Sequence, residues 1–350
     1  MFFKKQKFAL GLDIGSHSIK VAEITDSSHG LQLKNFGIAA VPAQAIVEGV
    51  VKERAQVADI IAALVNNLKI TGKRTAASIA GYSVIIKKIN MPLMSDKELE
   101  DNIAVEAAQY IPFDINDVYI DFQILGASVE KKDRMDVMLV AAKRETIDEY
   151  SELIRDANLV PTIIDVDPFA LENAYEANYD TENHNIALVD IGASKININI
   201  LINGVSTFTR DASFGGDQIT DQIRSKFDLP YDQAEILKIS GNVNGDKRPI
   251  LEEIFSSTCS LWTMEIRRAI DFYYANYPDH SLAKIVLSGG SAKIAGLSDI
   301  LRLETDIPVE IFDPFARIDV DPDRFDPEYI RQVGPQAAIA IGLALRSVET

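Results

Sequence analysis

The sequence predicts an α/β protein of two related lobes, with a smaller α+β unit inserted into the first. Three observations predict it. Apolar runs of strand length alternate with helical repeats along the chain, the pattern of layered α/β architectures. The triplet Asp-Ile-Gly occurs at Asp13-Ile14-Gly15 and again at Asp190-Ile191-Gly192, 177 residues apart. Each copy closes an apolar strand and leads through small polar residues into a second strand, so the repeat spans half the chain and marks paired domains, not a solenoid. The length of 350 residues also suits about two domains at ~150 residues each.

The elements follow in order. Residues 8–14 form a buried apolar strand, 19–25 alternate as a second, and 31–41 make a third. The segment 56–69 is a helix, because Val57, Ile60, Ile61, Leu64, Val65 and Leu68 share one face. A β-rich stretch runs over 76–89. Ser95 and Glu98 then form a capping box that starts a helix, which Pro112 forces to end near Tyr110. Strands at 118–125 and 136–142, a helix at 146–158 and a strand at 161–166 follow. The stretch 85–160 thus reads as a β-α-β-β-α unit with its own core. The first lobe is expected over 1–84, completed by 161–185 and 334–350, and the second over 186–333. In the second half, strands at 196–202 and 205–210 flank Asn203-Gly204, a strong hairpin signal because both central positions need positive φ. Helices are expected at 216–227, 231–240 and 249–276, a strand at 284–287, and a last helix from 335 to 346.

Composition narrows the function. The formal charge of −17 disfavours general nucleic-acid binding, which needs a basic face. One cysteine excludes an intramolecular disulfide and fits a reducing compartment, and four scattered histidines make no zinc cluster. The longest apolar run, 337–345, is far short of the ~18–20 residues of a membrane span. The expectation is a cytoplasmic protein. Phe2, Phe3, Lys4, Lys5 and Lys7 could touch an anionic membrane, but read more simply as a basic terminus leading into the first strand.

The repeated triplet has a chemical reading. A strand that turns sharply at glycine exposes backbone N–H groups to an anion. Asp13 and Asp190 at the strand ends can hold Mg²⁺ through water. Ser16, Ser18 and Ser194 add hydroxyls and Lys20 a positive charge, so two facing hairpins would grip phosphates from both sides. The plain alternative is two ordinary turns with Asp as turn former. Gly215 and Gly216 before a helix, and Gly289, Gly290 and Ser291 after a strand, allow close backbone approach to a ligand. No Walker A or G-x-G-x-x-G motif is present.

In this order the motifs resemble the actin/Hsp70/sugar-kinase ATPase superfamily: 10–20 its first phosphate motif, 188–193 the second, 285–291 the adenosine motif, and 166–171 and 334–344 the connecting helices. Within it, 109–113, 165–170, 214–217, 313–315 and 334–338 resemble the PilM family of type IV pilus assembly, relatives of the division protein FtsA. The resemblance implies a two-lobed actin-like ATPase fold with ATP and Mg²⁺ in the central cleft. Asp13 and Asp190 would serve the metal. Gly15, Ser16, His17, Ser18 and Lys20, with Gly192, Ala193, Ser194 and Lys195, would serve the phosphates. Gly215, Gly216, Glu235 and Lys238 would lie near ribose and base, and Gly289, Gly290 and Ser291 under the adenine. Lys195 departs from the small hydroxyl residue expected there, and His17 is weighed as another departure. The resemblance further implies that a groove beside the 85–160 unit takes the N-terminal peptide of a PilN-type inner-membrane protein. The chain would then meet the inner face of that membrane only through its partner, with other pilus motor components and self-association as further contacts.

Two segments stay open. As core, Ile111 and Phe113 of the stretch Tyr110, Ile111, Pro112 and Phe113 close the inserted unit; as groove wall they receive apolar side chains of a peptide, with Asp114, Asp117 and Asp121 attracting its amino group. For catalysis, Asp165, Asp167 and Glu172 could position water, but read better as a strand-end turn and cap. The acidic stretch 304–328 begins like a calcium loop at Asp319, Asp321 and Asp323, fails at Arg324 and Ile330, and reads as a solvated loop across the second lobe. The resulting function is an ATP-binding scaffold with slow or absent turnover. The alternatives are an FtsA-like filament former and a sugar kinase.

Overall fold

Strand pairing repeats almost line for line between the two halves of the computed structural model, which describes residues 7–348 apart from 29, 129–131, 183, 242–244 and 246. Phe2, Phe3, Lys4 and Lys5 therefore lie outside the described residues. The first half runs β1 (Leu10–Ile14), β2 (Ser18–Ser27), β3 (Gly30–Ala40), the short pair β4 (Ile46–Val47) and β5 (Val50–Val51), α1 (Arg54–Asn67) and β6 (Arg74–Ile79). It continues with β7 (Val84–Pro92), α2 (Asp96–Ala107), β8 (Val118–Ala127), β9 (Arg134–Lys143), α3 (Arg144–Asp156), β10 (Val160–Val166) and α4 (Asp167–Asn178). The second half contains β11 (Asn185–Ile191), β12 (Ile196–Ile202), β13 (Val205–Ala212), α5 (Asp217–Phe227), α6 (Tyr231–Ser240), α7 (Lys247–Asn276), β14 (Lys284–Ser288), α8 (Leu297–Thr305), β15 (Val309–Ile311) and α9 (Pro327–Ala344).

The first sheet is ordered β3-β2-β1-β6-β10 and the second β13-β12-β11-β14-β15. In both, an antiparallel meander of three strands carries two parallel strands on the far side of its first strand. Even the register agrees: Asp13 faces Lys20 across β1–β2, and Asp190 faces Asn197 across β11–β12. The inner strands are buried along their length, as parallel sheets covered on both faces require.

The β-rich stretch at 76–89 divides between two sheets. Gly81, at φ +85°, lets the chain turn out of β6 and start β7, an edge strand of a separate sheet ordered β7-β9-β8. The expected capping box holds: Ser95 accepts from the Glu98 amide and the Glu98 carboxylate accepts from the Ser95 amide. The helix it starts buries Leu99, Ile103 and Ala107 against Ile89, Met91 and Val137 of this sheet. Helix α3, grouped in the sequence with the inserted unit, packs elsewhere. Its Tyr150, Leu153 and Ile154 join Val57, Ile61 and Leu64 of α1 in the core of the first sheet.

Helix α9 begins eight residues before the expected start, capped by Asp326, whose side chain accepts from the amides of Glu328 and Tyr329. Pro335 sits inside it and offers no N–H to the carbonyl of Arg331. Lys293 replaces that donor: its Nζ bonds the carbonyls of Arg331 (2.8 Å) and Gln332 (3.1 Å). The acidic stretch 304–328 is not a free loop over the second lobe. Phe312, Phe315 and Ile318 are buried with Leu33 and Phe36 of the first sheet, and Asp319 exchanges backbone hydrogen bonds with Leu31 and Leu33. Burial of three apolar residues fixes it there in spite of its charge.

Helix α9 is pressed between β1 and α4. A Cβ on Gly11 would fall 2.2 Å from the Ala340 carbonyl oxygen, and one on Gly342 only 1.7 Å from that of Ala170. Among the described residues no helix is long and apolar enough to cross a membrane. Gly342→Val should destabilise the chain by about 1–3 kcal/mol in denaturant unfolding, the usual scale of overpacking. Gly72→Val, where a Cβ meets nothing within 4 Å, should leave stability close to wild type. Equal midpoints for the two variants would contradict the close-packing account.

Candidate functional site

The two Asp-Ile-Gly turns are built alike. The Gly15 amide donates to the Ser18 carbonyl (3.2 Å), and the Gly192 amide donates to the Lys195 carbonyl (2.9 Å). The turns meet across the lobes, with Ser16 Oγ 2.9 Å from Ser194 Oγ. Beside this contact lies a cleft of about 450 Å³. Asp13, Gly15, Ser16, His17, Ser18 and Lys20 line it from the first lobe; Asp190, Gly192, Ala193, Ser194, Lys195, Glu235, Lys238, Gly290 and Ser291 line it from the second. Residues nearly 300 positions apart thus share one cavity.

Gly215, Gly216 and Gly289 stand behind the second turn. The amides of Gly216 and Asp217 donate to the carbonyls of Gly192 (3.0 Å) and Ala193 (2.9 Å). A Cβ on Gly215 would lie 2.3 Å from the Ala193 carbonyl oxygen, and one on Gly289, at φ +88°, 2.4 Å from that of Ile191. These glycines let the backbone press against the turn and fix its amides. On α6, Glu235 accepts from Thr220 Oγ1 (2.6 Å) and pairs with Lys238 (2.7 Å), whose Nζ also donates to the Gly216 carbonyl (3.3 Å).

Charge in the cleft is unevenly paired. Asp13 holds Lys20 at 3.1 Å, and Asp167 holds Lys195 at 2.8 Å while accepting from Ser78 Oγ at 2.6 Å. Asp190 accepts from Ser288 Oγ at 3.0 Å and has no ion-pair partner among the described residues. Burial opposes the charge on Asp167, yet Lys195 and Ser78 carry its pKa below the ordinary value. Burial outweighs Lys20 at Asp13 and raises its pKa. For Asp190, burial and then the charges of Asp13 and Asp167 push the pKa up to about 7. Lys195, a departure from expectation, therefore acts as counter-ion to Asp167 and is kept charged by it and by Asp211 despite burial.

Of the three candidate acids and bases, Asp167 alone lines the cleft, with both oxygens engaged. Asp165 pairs with Arg346 at 2.6 Å, and Glu172 accepts from the Ser206 amide at 3.2 Å. Burial, then Glu176, raises the pKa of Glu172 to about 8. Among the described residues, no group of three His, Cys, Asp or Glu side chains could hold a metal alone. Asp190 and Asp13 suit a hydrated ion that shares its shell with a phosphate, and the half-buried Asp190, without an ion-pair partner among the described residues, gains most from one. Sequence reasoning missed Ser78, Tyr150, Lys293, Gln332 and Gln336 as lining residues. They carry no local motif, and only the fold brings them there.

A second cavity of about 520 Å³ opens between β7, the end of β6 and β13. Ile79, Tyr82, Val84, Ile86, Pro112, Phe113, Pro168 and Arg210 contribute to it, and Lys143 lies 4.6 Å over the Phe113 ring. Ile111 is buried in the core of the three-stranded sheet, and Tyr110 sits under Lys87 at 4.9 Å; neither lines this groove.

The family model described as type IV pilus assembly protein PilM matches residues 11–348. A solved PilM-PilN type IV pilus biogenesis complex superposes at a TM-score of 0.87 with 30% identity, covering 99% of this chain and 100% of that one. Cell division protein FtsA of Pseudomonas aeruginosa is 25% identical over 365 aligned positions, covering 89% of this chain and 84% of FtsA. Ethanolamine utilization protein EutJ of Carboxydothermus hydrogenoformans shares the fold alone, at a TM-score of 0.59 and 14% identity, covering 99% of this chain and 90% of EutJ. The fold is that of the actin-like ATPases.

The raised carboxyl pKa values set a direction for stability. A carboxyl whose folded pKa exceeds its unfolded value favours folding below the unfolded pKa, and that contribution is lost as pH rises through the folded pKa. The ligand-free chain should therefore lose thermal stability from about pH 4 to about pH 8, the fall through Asp190 ending near pH 7 and that through Glu172 near pH 8. Asp190→Asn should raise the unfolding temperature at pH 8, and Glu172→Gln should flatten the fall at higher pH, both read by circular dichroism. A wild-type profile that rises over this range would refute the assignment.

Proposed function

The chain belongs to the PilM family of type IV pilus assembly proteins, and from that premise we propose that it is an ATP-binding scaffold which holds a partner peptide in a separate groove. The observation that carries this reading is the pair of turns of like build that meet across the lobes beside a half-buried carboxylate with no ion-pair partner among the described residues. In this reading the backbone of Gly15–Ser18 and Gly192–Lys195 binds the phosphates, with Lys20 adding charge. Asp13 and Asp190 hold Mg²⁺ through water, and the ion supplies the positive charge that phosphates require in an acidic cleft. Glu235 and Lys238 lie on the ribose side, and Gly290 and Ser291 on the adenine side, backed by Gly215, Gly216 and Gly289.

Turnover is slow or absent in this account. A base needs proton affinity, and Asp167, paired with Lys195 and accepting from Ser78, has its pKa held below the ordinary value and is a weak one. The scaffold role falls to the groove. Its apolar floor of Ile79, Val84, Ile86 and Phe113 suits apolar side chains of a short extended segment, and Asp211 at its edge suits an amino group or lysine. The solved neighbour is a complex of PilM with PilN, and a PilN-type N-terminal peptide is the proposed occupant. Such a partner would bring the chain to the inner face of the membrane. The proposed lobes are discontinuous, 1–84 with 161–185 and 334–350 against 186–333, and of the expected insertion over 85–160 the helix α3 belongs with the first lobe because it packs on α1.

Calorimetric titration with a PilN-type N-terminal peptide tests the groove. Binding should weaken about tenfold, equal to about 1.4 kcal/mol, in Tyr82→Ala and Phe113→Ala. Tyr82 is 80% exposed, so its loss should not disturb folding. Absence of heat with wild type, or unchanged affinity in both variants, would contradict the assignment.

A further inference from the structure

The turn after β1 touches the second lobe at two points, and phosphate binding accounts for only one of them. Ser16 meets Ser194 at the base of the cleft. His17 meets α6 instead: Nδ1 lies 3.4 Å from the Tyr231 hydroxyl, and Nε2 lies 3.8 Å from Glu235 Oε1. The imidazole is about one third exposed and lines the cavity, so it stands where the cleft meets solvent.

Hydrogen-bond bookkeeping assigns its protons. The Tyr231 hydroxyl donates its single hydrogen to Asp217 Oδ1 at 3.0 Å, so toward His17 it can only accept. Nδ1 must therefore carry a proton. In a neutral ring that leaves Nε2 as a lone pair directed at a carboxylate. The other oxygen of Glu235 is already taken by Thr220 Oγ1 and Lys238, which leaves Oε1 for His17. A second proton on the ring turns the repulsive contact into an ion pair with Glu235 at 3.8 Å while keeping the hydrogen bond to Tyr231. The charged groups around this cluster are Asp217, Asp221 and Arg224 from α5, Glu235 and Lys238 from α6, and Lys20 from β2. Lys20 is paired with Asp13, Arg224 with Asp221, and Lys238 with Glu235. Asp217 and the free oxygen of Glu235 remain as the acceptors without a cation of their own in this cluster.

We propose that His17, Tyr231, Asp217 and Glu235 form a latch between the lobes that gates nucleotide passage and tightens when the imidazole takes up a proton. His17 and Glu235 both line the cavity, so in this proposal a ligand entering or leaving parts their contact and the latch slows both directions together. It rests on the nucleotide reading of the cleft for its rates, and on geometry alone for its closure.

Stopped-flow binding of a fluorescent ATP analogue with Mg²⁺ reads the gate. His17→Ala and Tyr231→Phe should each speed dissociation by about fivefold, the weight of one ordinary hydrogen bond, and Tyr231→Phe, at a position that does not line the cavity, should speed association by as much with little change in the ratio. Both wild-type rates should be slower at pH 6.5 than at pH 8, and those of His17→Ala should not respond. Wild-type rates in both variants, or a pH response that survives in His17→Ala, would overturn the latch. A second measurement needs no nucleotide. Spin labels at Lys52→Cys and Lys226→Cys, both exposed and on opposite lobes while Cys259 is buried, should report a shorter mean distance at pH 6.5 than at pH 8. The difference should vanish in His17→Ala. If the analogue does not bind, the nucleotide reading fails, and the distance measurement alone decides the latch: equal distances at the two pH values in wild type would overturn it.

Discussion

A shortage of positive charge at the meeting point of the two lobes organises this molecule. Asp13 and Asp167 are buried there with Asp190 half-buried beside them, and Lys20 and Lys195 pair with the first two. Asp190 is left with a serine hydroxyl for company and with like charges nearby. A partly desolvated carboxylate beside like charges and without a counter-ion is unfavourable, and such groups gather at functional sites. Topology places the unmet charge: Asp13 and Asp190 each stand at the penultimate position of the central strand of their sheet, and the two sheets turn those ends toward one another.

Holding the two ends in place takes the rest of the structure. Helix α9 can lie against β1 because Gly11 has no Cβ, and against α4 because Gly342 has none. Its proline break is stitched by Lys293, which itself lines the cleft, and the Pro335 carbonyl accepts from the Gly289 amide behind the second turn. The helix that joins the lobes is therefore bonded to the loop that backs the phosphate turn. The 312–318 stretch adds an apolar bridge from the second sheet to the first. Packing and polar bonds pull in the same direction, which is how the cleft keeps its shape with an unpaired charge inside it.

Much of this was legible in the sequence. The meander strands announce themselves by alternation, the turns by repetition, α2 by its capping box, and the 30-residue α7 by its long apolar periodicity. Local signals failed where distant residues decide. Pro335 reads as a helix start, because nothing near it in sequence reveals that Lys293 will replace its missing donor. The apolar face of α3 is plain, but not that α1 is the surface it meets. In the cleft, both aspartates and the turn residues were found through the repeat. Ser78, Ser288 and Tyr231 were not, since each matters only through a partner contributed by another element. The acidic run at 304–328 misled by composition, because three buried apolar residues outweigh its charge.

If the cleft exists to complete its charge with a metal-bound phosphate ligand, affinity must depend on the metal and on Asp190. The direct measurement is calorimetric titration of ATP into the full chain in Mg²⁺ and in EDTA, with wild type and Asp190→Ala. The account predicts saturable binding by wild type in Mg²⁺, strongly weakened in EDTA and lost in the variant while its fold persists. Equal affinity with and without Mg²⁺, or undiminished binding by Asp190→Ala, would contradict it.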